Sequence, residues 1–257
     1  MEDTLFSIAG RVALVSGASS GLGERFAMLL ASRGAKVVCV ARREDKLADL
    51  VGEIRHRGND ALAVAADVTD EATLIKAFDA AEAEYGPVEI LVNCAGIQSM
   101  ANVLDMSEEQ FTSVLDINVS GMWRTAKLCA QRLVTAKTPG SIINIASILG
   151  MQVRPSFSNY CASKAAVLHM TKALALDLMP HRIRVNALAP GYFETELTRF
   201  WLQSEEGQLA MSRLPIARFG ELKELDGPLL LLASDASSYM SGSVLTVDAA
   251  HSVSVLE

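Results

Sequence analysis

Hydrophobic residues along the chain fall into short runs that alternate with longer amphipathic stretches. Runs rich in Val, Ile, Leu and Ala predict strands over residues 11–15, 36–41, 61–66, 89–93, 141–146, 184–188 and 244–248. Apolar residues at helical spacing predict helices over residues 22–33, 44–57, 69–85, 107–136, 159–179 and 221–232. Repeated β-α-β units of this kind predict an α/β fold, a doubly wound parallel sheet with helices on both faces.

The size of the chain suits one large domain. Its 257 residues are 50% hydrophobic but only 5% aromatic, so we expect a mainly aliphatic core, as in a sheet buried on both faces. No low-complexity segment or linker divides the sequence, and we predict a single domain over residues 1–257. The irregular stretch 190–219 is too long for an ordinary connection and predicts a binding loop or lid.

Charge and composition argue against several function classes. A net charge of −7 lacks the basic surface that nucleic-acid binding requires. The four histidines are scattered, so no metal site is predicted, and the four cysteines form no CxxC pair, which is typical of a reducing compartment. The start Met1-Glu2-Asp3 does not resemble a signal peptide, and no apolar run could span a bilayer. We therefore expect a cytoplasmic protein without a membrane partner.

A glycine-rich turn follows the first predicted strand, with glycines in a GxxxGxG spacing. Such glycines allow a tight turn and a close approach of the backbone to a pyrophosphate, while the next helix offers free N–H groups at its N-terminus. A Gly/Ser-rich stretch can also be only a turn, but its place between strand and helix favours a dinucleotide site. The predicted contacts are Gly17, Ser19, Ser20, Gly21, Leu22 and Gly23.

The residues after the second predicted strand indicate which dinucleotide is bound. NAD-binding units usually place a carboxylate there to hold the adenosine ribose, whereas this chain has Ala41, Arg42 and Arg43. A guanidinium is well shaped to bind a 2′-phosphate. We predict that NADP(H) is favoured over NAD(H), with Arg42 as the first candidate and Arg43 beside it. The alternative is a solvated basic pair at the start of a helix.

Two further strand ends carry candidate cofactor contacts. Asp67-Val68 follows the third predicted strand, and the fourth ends in Asn93-Cys94-Ala95-Gly96. In open α/β sheets, ligands bind outside the carboxyl ends of the strands, so Asp67, Val68, Asn93, Ala95 and Gly96 are predicted to contact the cofactor. Asp67 could instead cap the following helix.

Candidate catalytic residues lie in the second half of the chain. Tyr160 and Lys164 are four residues apart on a predicted helix and share one face. A nearby ammonium favours phenolate and is expected to lower the pKa of the tyrosine, which makes it a useful proton donor or acceptor. Ser147 ends the preceding strand within reach of that helix, and Asn118 lies inside an earlier helix. The alternative interpretation of Tyr160 and Lys164 is that they lie on an exposed helix face without a catalytic role. For Asn118 the alternative is a solvated surface position.

Together these motifs resemble the short-chain dehydrogenase/reductase family along nearly the whole chain. The matching pieces, in the family's order and spacing, are Gly17/Gly21/Gly23, Asp67, Asn93-Cys94-Ala95-Gly96, Asn118, Ser147, Tyr160-x-x-x-Lys164 and Pro190-Gly191 with Thr195. The resemblance implies a seven-stranded Rossmann-type sheet whose dinucleotide-binding half covers about residues 9–150, with the catalytic helix, the loop 190–219 and the last strand in 151–257. It further implies an NADP-preferring enzyme that interconverts a carbonyl and an alcohol, as a homotetramer or homodimer.

The resemblance also implies a role for each catalytic residue. Tyr160 would pass the proton to or from the substrate oxygen, and Ser147 would orient that oxygen. Lys164 would bind the nicotinamide ribose and lower the pKa of Tyr160, while Asn118 would hold a water that links Lys164 to solvent. The nicotinamide end would be bound by Pro190, Gly191, Phe193 and Thr195.

Five positions depart from the family pattern. Ser16 replaces the usual Thr but keeps a hydroxyl, and Cys94 replaces a second Asn. Phe193 stands where Val or Ile is usual, which puts the nicotinamide contact in doubt. Ala249-Ala250 replaces a common Gly-Gly after the last strand, which puts the conformation of the C-terminal turn in doubt.

Substrate identity is the least determined property. The predicted pocket includes Gln98, Met100, Leu149, Gln152, Tyr192 and the segment 197–214. This mixture suits reduction of a medium-sized ketone, such as a 3-oxoacyl thioester, a sugar-acid ketone or another small ketone. Two alternatives remain open at this stage: a dinucleotide-binding sensor or scaffold without catalysis, and an epimerase or dehydratase acting on nucleotide sugars.

Overall fold

The centre of the molecule is one parallel sheet. The computed structural model describes residues 4–196, 198–212 and 214–254. The strands are β1 (Val12–Ser16), β2 (Lys36–Ala41), β3 (Ala61–Ala65), β4 (Ile90–Asn93), β5 (Gly140–Ile145), β6 (Ile183–Pro190) and β7 (Val244–Val247). Their order is β3-β2-β1-β4-β5-β6-β7, and all neighbouring strands run parallel. The predicted doubly wound α/β fold is confirmed.

Helices cover both faces of the sheet because the central strands are apolar on both sides. In β1, Ala13 and Val15 pack on one layer while Val12 and Leu14 pack on the other. The first layer contains α1 (Gly21–Ser32), α2 (Glu44–His56) and α9 (Asp226–Ala233). The second contains α3 (Glu71–Glu84), α5 (Met122–Ala136) and α6 (Ser158–Leu178).

The helix predicted over residues 107–136 is present over residues 108–136, but one turn of it is π-helical rather than α-helical. It consists of α4 (Glu108–Leu115), a π-helical turn (Asp116–Gly121) and α5. The predicted capping box at Ser107 and Gln110 is present, with both reciprocal hydrogen bonds formed. The π-helical turn is notable because it carries Asn118, and such turns are frequent at functional sites.

The stretch 190–219, called the lid below, is more ordered than predicted. It contains α7 (Arg199–Leu202) and α8 (Glu205–Ser212). The helix expected over residues 221–232 begins as a 3-10 turn (Leu222–Leu225) and becomes α-helical only in α9. In the described part of the chain, no helix has both the length and the apolar character needed to cross a membrane.

The strand order places the functional crevice. The chain runs outward from β1 to β3, then returns to place β4 on the other side of β1. The connections after β1 and β4 therefore leave the sheet in opposite directions and open a crevice at their carboxyl ends, which is where ligands bind in such folds.

Candidate active site

A cleft of about 510 Å³ lies at the carboxyl ends of β1 and β4. It brings together most of the residues predicted to bind a dinucleotide, together with the two residues of the predicted catalytic helix. The predicted residues that line it are Gly17, Ser19, Ser20, Gly21, Leu22, Gly23, Arg42, Arg43, Asp67, Val68, Ala95, Gly96, Tyr160, Lys164 and Thr195.

The glycine turn is connected by hydrogen bonds to the residues that follow β4. The Ser16 hydroxyl accepts hydrogen bonds from the backbone N–H groups of Cys94 and Ala95, at 3.2 and 3.3 Å. Gly17 has a φ of +71°, and a Cβ on it would lie 2.7 Å from the Ala95 nitrogen. Only glycine permits this approach. The two backbone segments thus form a flat floor at the start of α1, of the kind that accommodates a pyrophosphate.

Asp67 lines the cleft just after the end of β3. Its Oδ1 accepts hydrogen bonds from the Thr69 N–H at 2.9 Å and the Thr69 hydroxyl at 2.8 Å. Arg42 approaches its other oxygen, with Nη1 3.8 Å from Oδ2. Burial favours a higher pKa for Asp67, but the Thr69 bonds and the Arg42 charge outweigh it and lower that pKa. Asp67 is therefore an anion that both caps its own turn and lines the cleft.

Arg43, rather than Arg42, lies against the glycine turn. Its Nε and Nη2 donate to the Ser19 hydroxyl at 3.1 and 3.0 Å, and Nη2 also donates to the Ser20 hydroxyl at 2.7 Å. A guanidinium and two hydroxyls converge at one point above the carboxyl end of β2. This combination of charge and hydrogen-bond donors suits a phosphate ester.

Four other predicted cofactor residues lie outside the lining of this cleft. Asn93 is buried beneath it, where its amide donates to the Asn144 side chain at 3.0 Å. Gly191 packs on Asp248 and donates its N–H to the Val247 carbonyl at 2.9 Å. Phe193 is buried against Gly220, where any side chain would meet the Phe193 ring. Pro190, the last residue of β6, is likewise buried. These residues shape the cleft from behind.

Tyr160 lines one end of the cleft, and Ser147 lies next to it behind the lining. The Ser147 side chain is hydrogen-bonded to the Tyr160 phenol, and its oxygen accepts from the Leu149 N–H at 3.1 Å. Burial raises the pKa of Tyr160 to about 12, although the bond to Ser147 lowers it in part. The expectation of a lowered tyrosine pKa is thus wrong for this structure. A phenol that stays protonated at neutral pH is a proton donor.

The position of Lys164 explains why its ammonium does not lower the pKa of Tyr160. Its Nζ lies 5.5 Å from the centre of the Tyr160 ring and donates to the Ile145 carbonyl at 2.8 Å. The side chain is buried, and burial lowers the pKa of Lys164 to about 8. The Lys164 ammonium therefore donates to a backbone carbonyl in the floor of the cleft, and its pKa lies close to neutral pH.

Asn118 is fully buried, so the alternative of a solvated surface position is excluded. Its Oδ1 accepts from the Ile97 N–H at 2.8 Å, and its Nδ2 donates to the Ile97 carbonyl at 2.9 Å. Nδ2 also donates to the Ser163 hydroxyl at 3.0 Å. The side chain thus links the loop after β4 to the catalytic helix α6, and a Cβ on the intervening Gly96 would lie 3.3 Å from Oδ1.

The substrate candidates are spread over the rim. Leu149 and Gln152 line a second depression of about 550 Å³, and Gln152 donates to the Ser252 carbonyl at 2.6 Å. Tyr192 packs between Trp201 and His251, with ring centres 5.2 and 5.1 Å away. Met100 is exposed. The Gln98 residue interacts with another residue of the chain and is therefore not free. Leu197 and Arg213 of the predicted segment 197–214 lie outside the described residues.

Sequence reasoning missed two polar residues of the cleft. Cys94 was considered only as a departure, yet it lines the cleft, and burial raises the pKa of its thiol to about 12. Glu196 lies in the lid next to Thr195 and reaches Arg43, with Nη1 3.4 Å from Oε2. No local motif marks Glu196, because its partner lies 153 residues away in the sequence.

The described residues fit a nicotinamide dinucleotide. The glycine cradle leaves space that a Cβ would fill, hydroxyls and guanidinium groups lie at the ribose-phosphate end, and a tyrosine, a serine and a lysine lie at the other end. This order of parts is the one that hydride transfer to a carbonyl requires.

Comparisons with known proteins agree with this geometry. Residues 11–206 match the family model described as short chain dehydrogenase. The chain is 35% identical over 241 residues to the 3-oxoacyl-[acyl-carrier-protein] reductase FabG of Thermotoga maritima, covering 94% of this chain and 97% of that protein. It is 36% identical over 252 residues to the gluconate 5-dehydrogenase of Gluconobacter oxydans, covering 98% of both.

A solved structure is equally similar. The gluconate 5-dehydrogenase of Burkholderia cenocepacia, crystallised with NADP and tartrate, superposes with a TM-score of 0.93 at 35% identity, over 98% of both chains. These relatives share one reaction class, the interconversion of CH–OH and keto groups. Fold, cleft and relatives together show that the chain belongs to the short-chain dehydrogenase/reductase family and is an oxidoreductase that transfers hydride between a nicotinamide dinucleotide and a carbonyl or alcohol.

Proposed function

We propose that the protein is an NADPH-dependent reductase of small ketones. The observation that carries this proposal is the position of Arg43, whose guanidinium is held over the Ser19 and Ser20 hydroxyls at 2.7–3.1 Å. The end of β2 itself carries Ala41, Arg42 and Arg43 in place of the acidic residue by which NAD-binding units repel a 2′-phosphate. Arg43 is the principal 2′-phosphate ligand in this proposal, and Arg42 is secondary because it turns toward Asp67.

The catalytic residues act as a proton-donating unit in this proposal. The bound dinucleotide supplies the hydride to the carbonyl carbon. The Ser147 hydroxyl orients the substrate oxygen, and the neutral Tyr160 phenol gives that oxygen its proton. Lys164 supports the loss of the phenol proton with its charge, and the Asn118 side chain keeps the loop after β4 in register with α6. Each of these roles is a proposal.

The substrate class follows from the relatives and the rim. Similar proteins are named for 3-oxoacyl thioesters and for sugar acids, including 2-dehydro-3-deoxy-D-gluconate. We therefore propose a small ketone of one of these kinds, bound near Gln98, Met100, Leu149, Gln152, Tyr192 and the lid. We further propose a cytoplasmic homotetramer, as the family resemblance implies. Nothing favours the inactive sensor.

Removing Arg43 tests the cofactor assignment. Arg43→Ala is expected to weaken NADPH binding by about tenfold while leaving NADH binding nearly unchanged, because only NADPH carries the 2′-phosphate. Titrations that follow nicotinamide fluorescence measure both affinities. Arg42→Ala should give a smaller loss. Arg57→Ala is the matched control, since that exposed arginine pairs with Glu53 on the surface of α2. Wild-type preference for NADH, or equal losses for both cofactors in Arg43→Ala, would reject the assignment.

A further inference from the structure

The lid places a carboxylate in the proposed 2′-phosphate position. Glu196 is exposed, follows Thr195 directly and lines the cleft together with Ser20 and Arg43. Its Oε2 lies 3.4 Å from Arg43 Nη1, and the Ser20 hydroxyl donates to the same carboxylate. The Ser20 bond and the Arg43 charge hold the pKa of Glu196 below its ordinary value, so the group is an anion at neutral pH.

All three nitrogens of the Arg43 fork have partners. Nε and Nη2 contact the Ser19 and Ser20 hydroxyls, and Nη1 contacts Glu196. A phosphate on the adenosine ribose would need the same guanidinium and the same hydroxyls. A carboxylate and a phosphate this close to each other repel, and one guanidinium cannot serve both at full strength. The phosphate therefore has to displace Glu196.

We propose that Glu196 is a specificity-determining residue that competes with the 2′-phosphate of the cofactor for Arg43. This inference rests on the proposed NADPH dependence. A dinucleotide without the 2′-phosphate leaves the Arg43–Glu196 pair intact, whereas one with it must break the pair. Glu196 thereby reduces the preference for the phosphorylated cofactor below the level that Arg43, Ser19 and Ser20 would give by themselves.

The position of Glu196 in the chain connects this competition to the lid. The neighbouring Thr195 faces Gly21, where an added Cβ would lie 3.4 Å from the Thr195 Cβ, and it donates its N–H to the Thr198 hydroxyl at 2.9 Å. That hydroxyl in turn donates to the Phe193 carbonyl at 2.7 Å, at the base of the lid just before α7. Displacing Glu196 therefore releases the lid from Arg43 at a point close to its anchored base.

The experiment compares two ligands that differ only in the 2′-phosphate, 2′,5′-ADP and 5′-AMP, on the full-length protein by calorimetry. Glu196→Gln keeps the shape of the side chain and removes its charge. We expect this variant to bind 2′,5′-ADP about two- to fivefold more tightly than wild type, with unchanged affinity for 5′-AMP. The gain should shrink at high ionic strength, because the competing charges are exposed.

Glu194→Gln is the matched control. Glu194 lies in the same part of the lid with similar exposure, but it pairs with Arg199 at 3.4 Å. We expect it to change neither affinity. If wild type binds 2′,5′-ADP no better than 5′-AMP, the proposed NADPH dependence fails, and this inference fails with it. If wild type prefers 2′,5′-ADP but Glu196→Gln binds it equally or less tightly, only the role of Glu196 is overturned.

Discussion

Two alanines after the last strand adopt a backbone conformation that suits glycine. Ala249 and Ala250 have φ values of +50° and +67°. They lie in the turn that Asp248 organises by accepting hydrogen bonds from the Ala250 and Ser252 N–H groups, at 3.1 and 2.7 Å. Left-handed backbone costs a residue with a Cβ about 1–2 kcal/mol. The departure from Gly-Gly noted in the sequence thus has a structural consequence: the turn is kept, but at a cost in stability.

Glycine at these positions is expected to stabilise the protein. Ala249→Gly and Ala250→Gly should each raise the free energy of unfolding by about 0.5–1 kcal/mol, because relief of strain exceeds the added entropy of the unfolded chain. Thermal denaturation should show a rise in Tm of about 1–4 °C per substitution. Ala48→Gly is the control, since Ala48 is exposed in the middle of α2, and glycine there should destabilise instead. Loss of stability in all three variants would contradict this account of the turn.

At the scale of elements, a buried arginine holds the end of α9 to the sheet. Arg184 of β6 donates through Nη2 to the carbonyls of Leu232 and Ser234, at 3.2 and 3.0 Å, and through Nη1 to the Ser237 hydroxyl at 2.5 Å. The carbonyls at the end of a helix have no partner within it. Arg184 shares this role with the Ser141 and Ser237 hydroxyls, which donate to the same carbonyls, and its charge complements the helix dipole.

Replacing Arg184 tests this anchor. Arg184→Met should lower the free energy of unfolding by about 1–3 kcal/mol, because it removes three hydrogen bonds from a buried guanidinium, although the Ser141 and Ser237 hydroxyls still donate to the Leu232 and Ser234 carbonyls. Chemical denaturation measures the change. Arg182→Met is the matched control: Arg182 is exposed, its side chain donates to the Lys137 carbonyl at 3.3 Å, and the substitution leaves its backbone hydrogen bonds in place, so it should change stability by less than about 0.5 kcal/mol. Equal effects of the two substitutions would show that Arg184 does not anchor α9.

The elements also show how far the sequence determines the fold. Long periodic segments were predicted to within about two residues at most ends; α2, for example, ends at His56 rather than at residue 57. The helices of the lid escaped prediction because α7 and α8 have only four and eight residues, too few to show a helical period. The π-helical turn at Asn118 escaped for a different reason. It arises where Asn118 bonds to Ile97 and Ser163, which are distant in sequence.

At the scale of the whole molecule, the sequence predicts those residues of the site that directly follow a strand. Gly17, Asp67 and Ala95 each come just after a strand, so the sheet brings them to one edge. The sequence ranked Arg42 above Arg43 for the phosphate, because neighbours in sequence cannot show which side chain turns toward Asp67 and which toward Ser19. The pairing of Arg43 with Glu196 depends on how the lid folds over the cleft, and no periodicity encodes it.

Burial of the whole active site sets its response to pH. It raises the pKa of Tyr160 to about 12 and lowers that of Lys164 to about 8. Below pH 8 the site therefore holds a neutral phenol and an ammonium, the combination that gives a proton to a reduced carbonyl oxygen. As pH rises through the pKa of Lys164, the ammonium is lost while the phenol remains protonated. The positive charge that stabilises the phenolate left by proton transfer then disappears.

We therefore expect ketone reduction to be nearly constant below about pH 8 and to fall above it. Alcohol oxidation needs the phenolate, so it should increase with pH instead. Stopped-flow measurement of NADPH consumption gives the reduction profile, and measurement of NADPH formation from NADP⁺ gives the oxidation profile, each at saturating cofactor. Lys164→Arg keeps a charge at all these pH values and should lose the decline, even if its activity is low. Tyr160→Phe should lose about 100-fold or more of the activity at every pH. A reduction rate that rises through pH 8 in the wild-type enzyme would mean that the proton comes from another group.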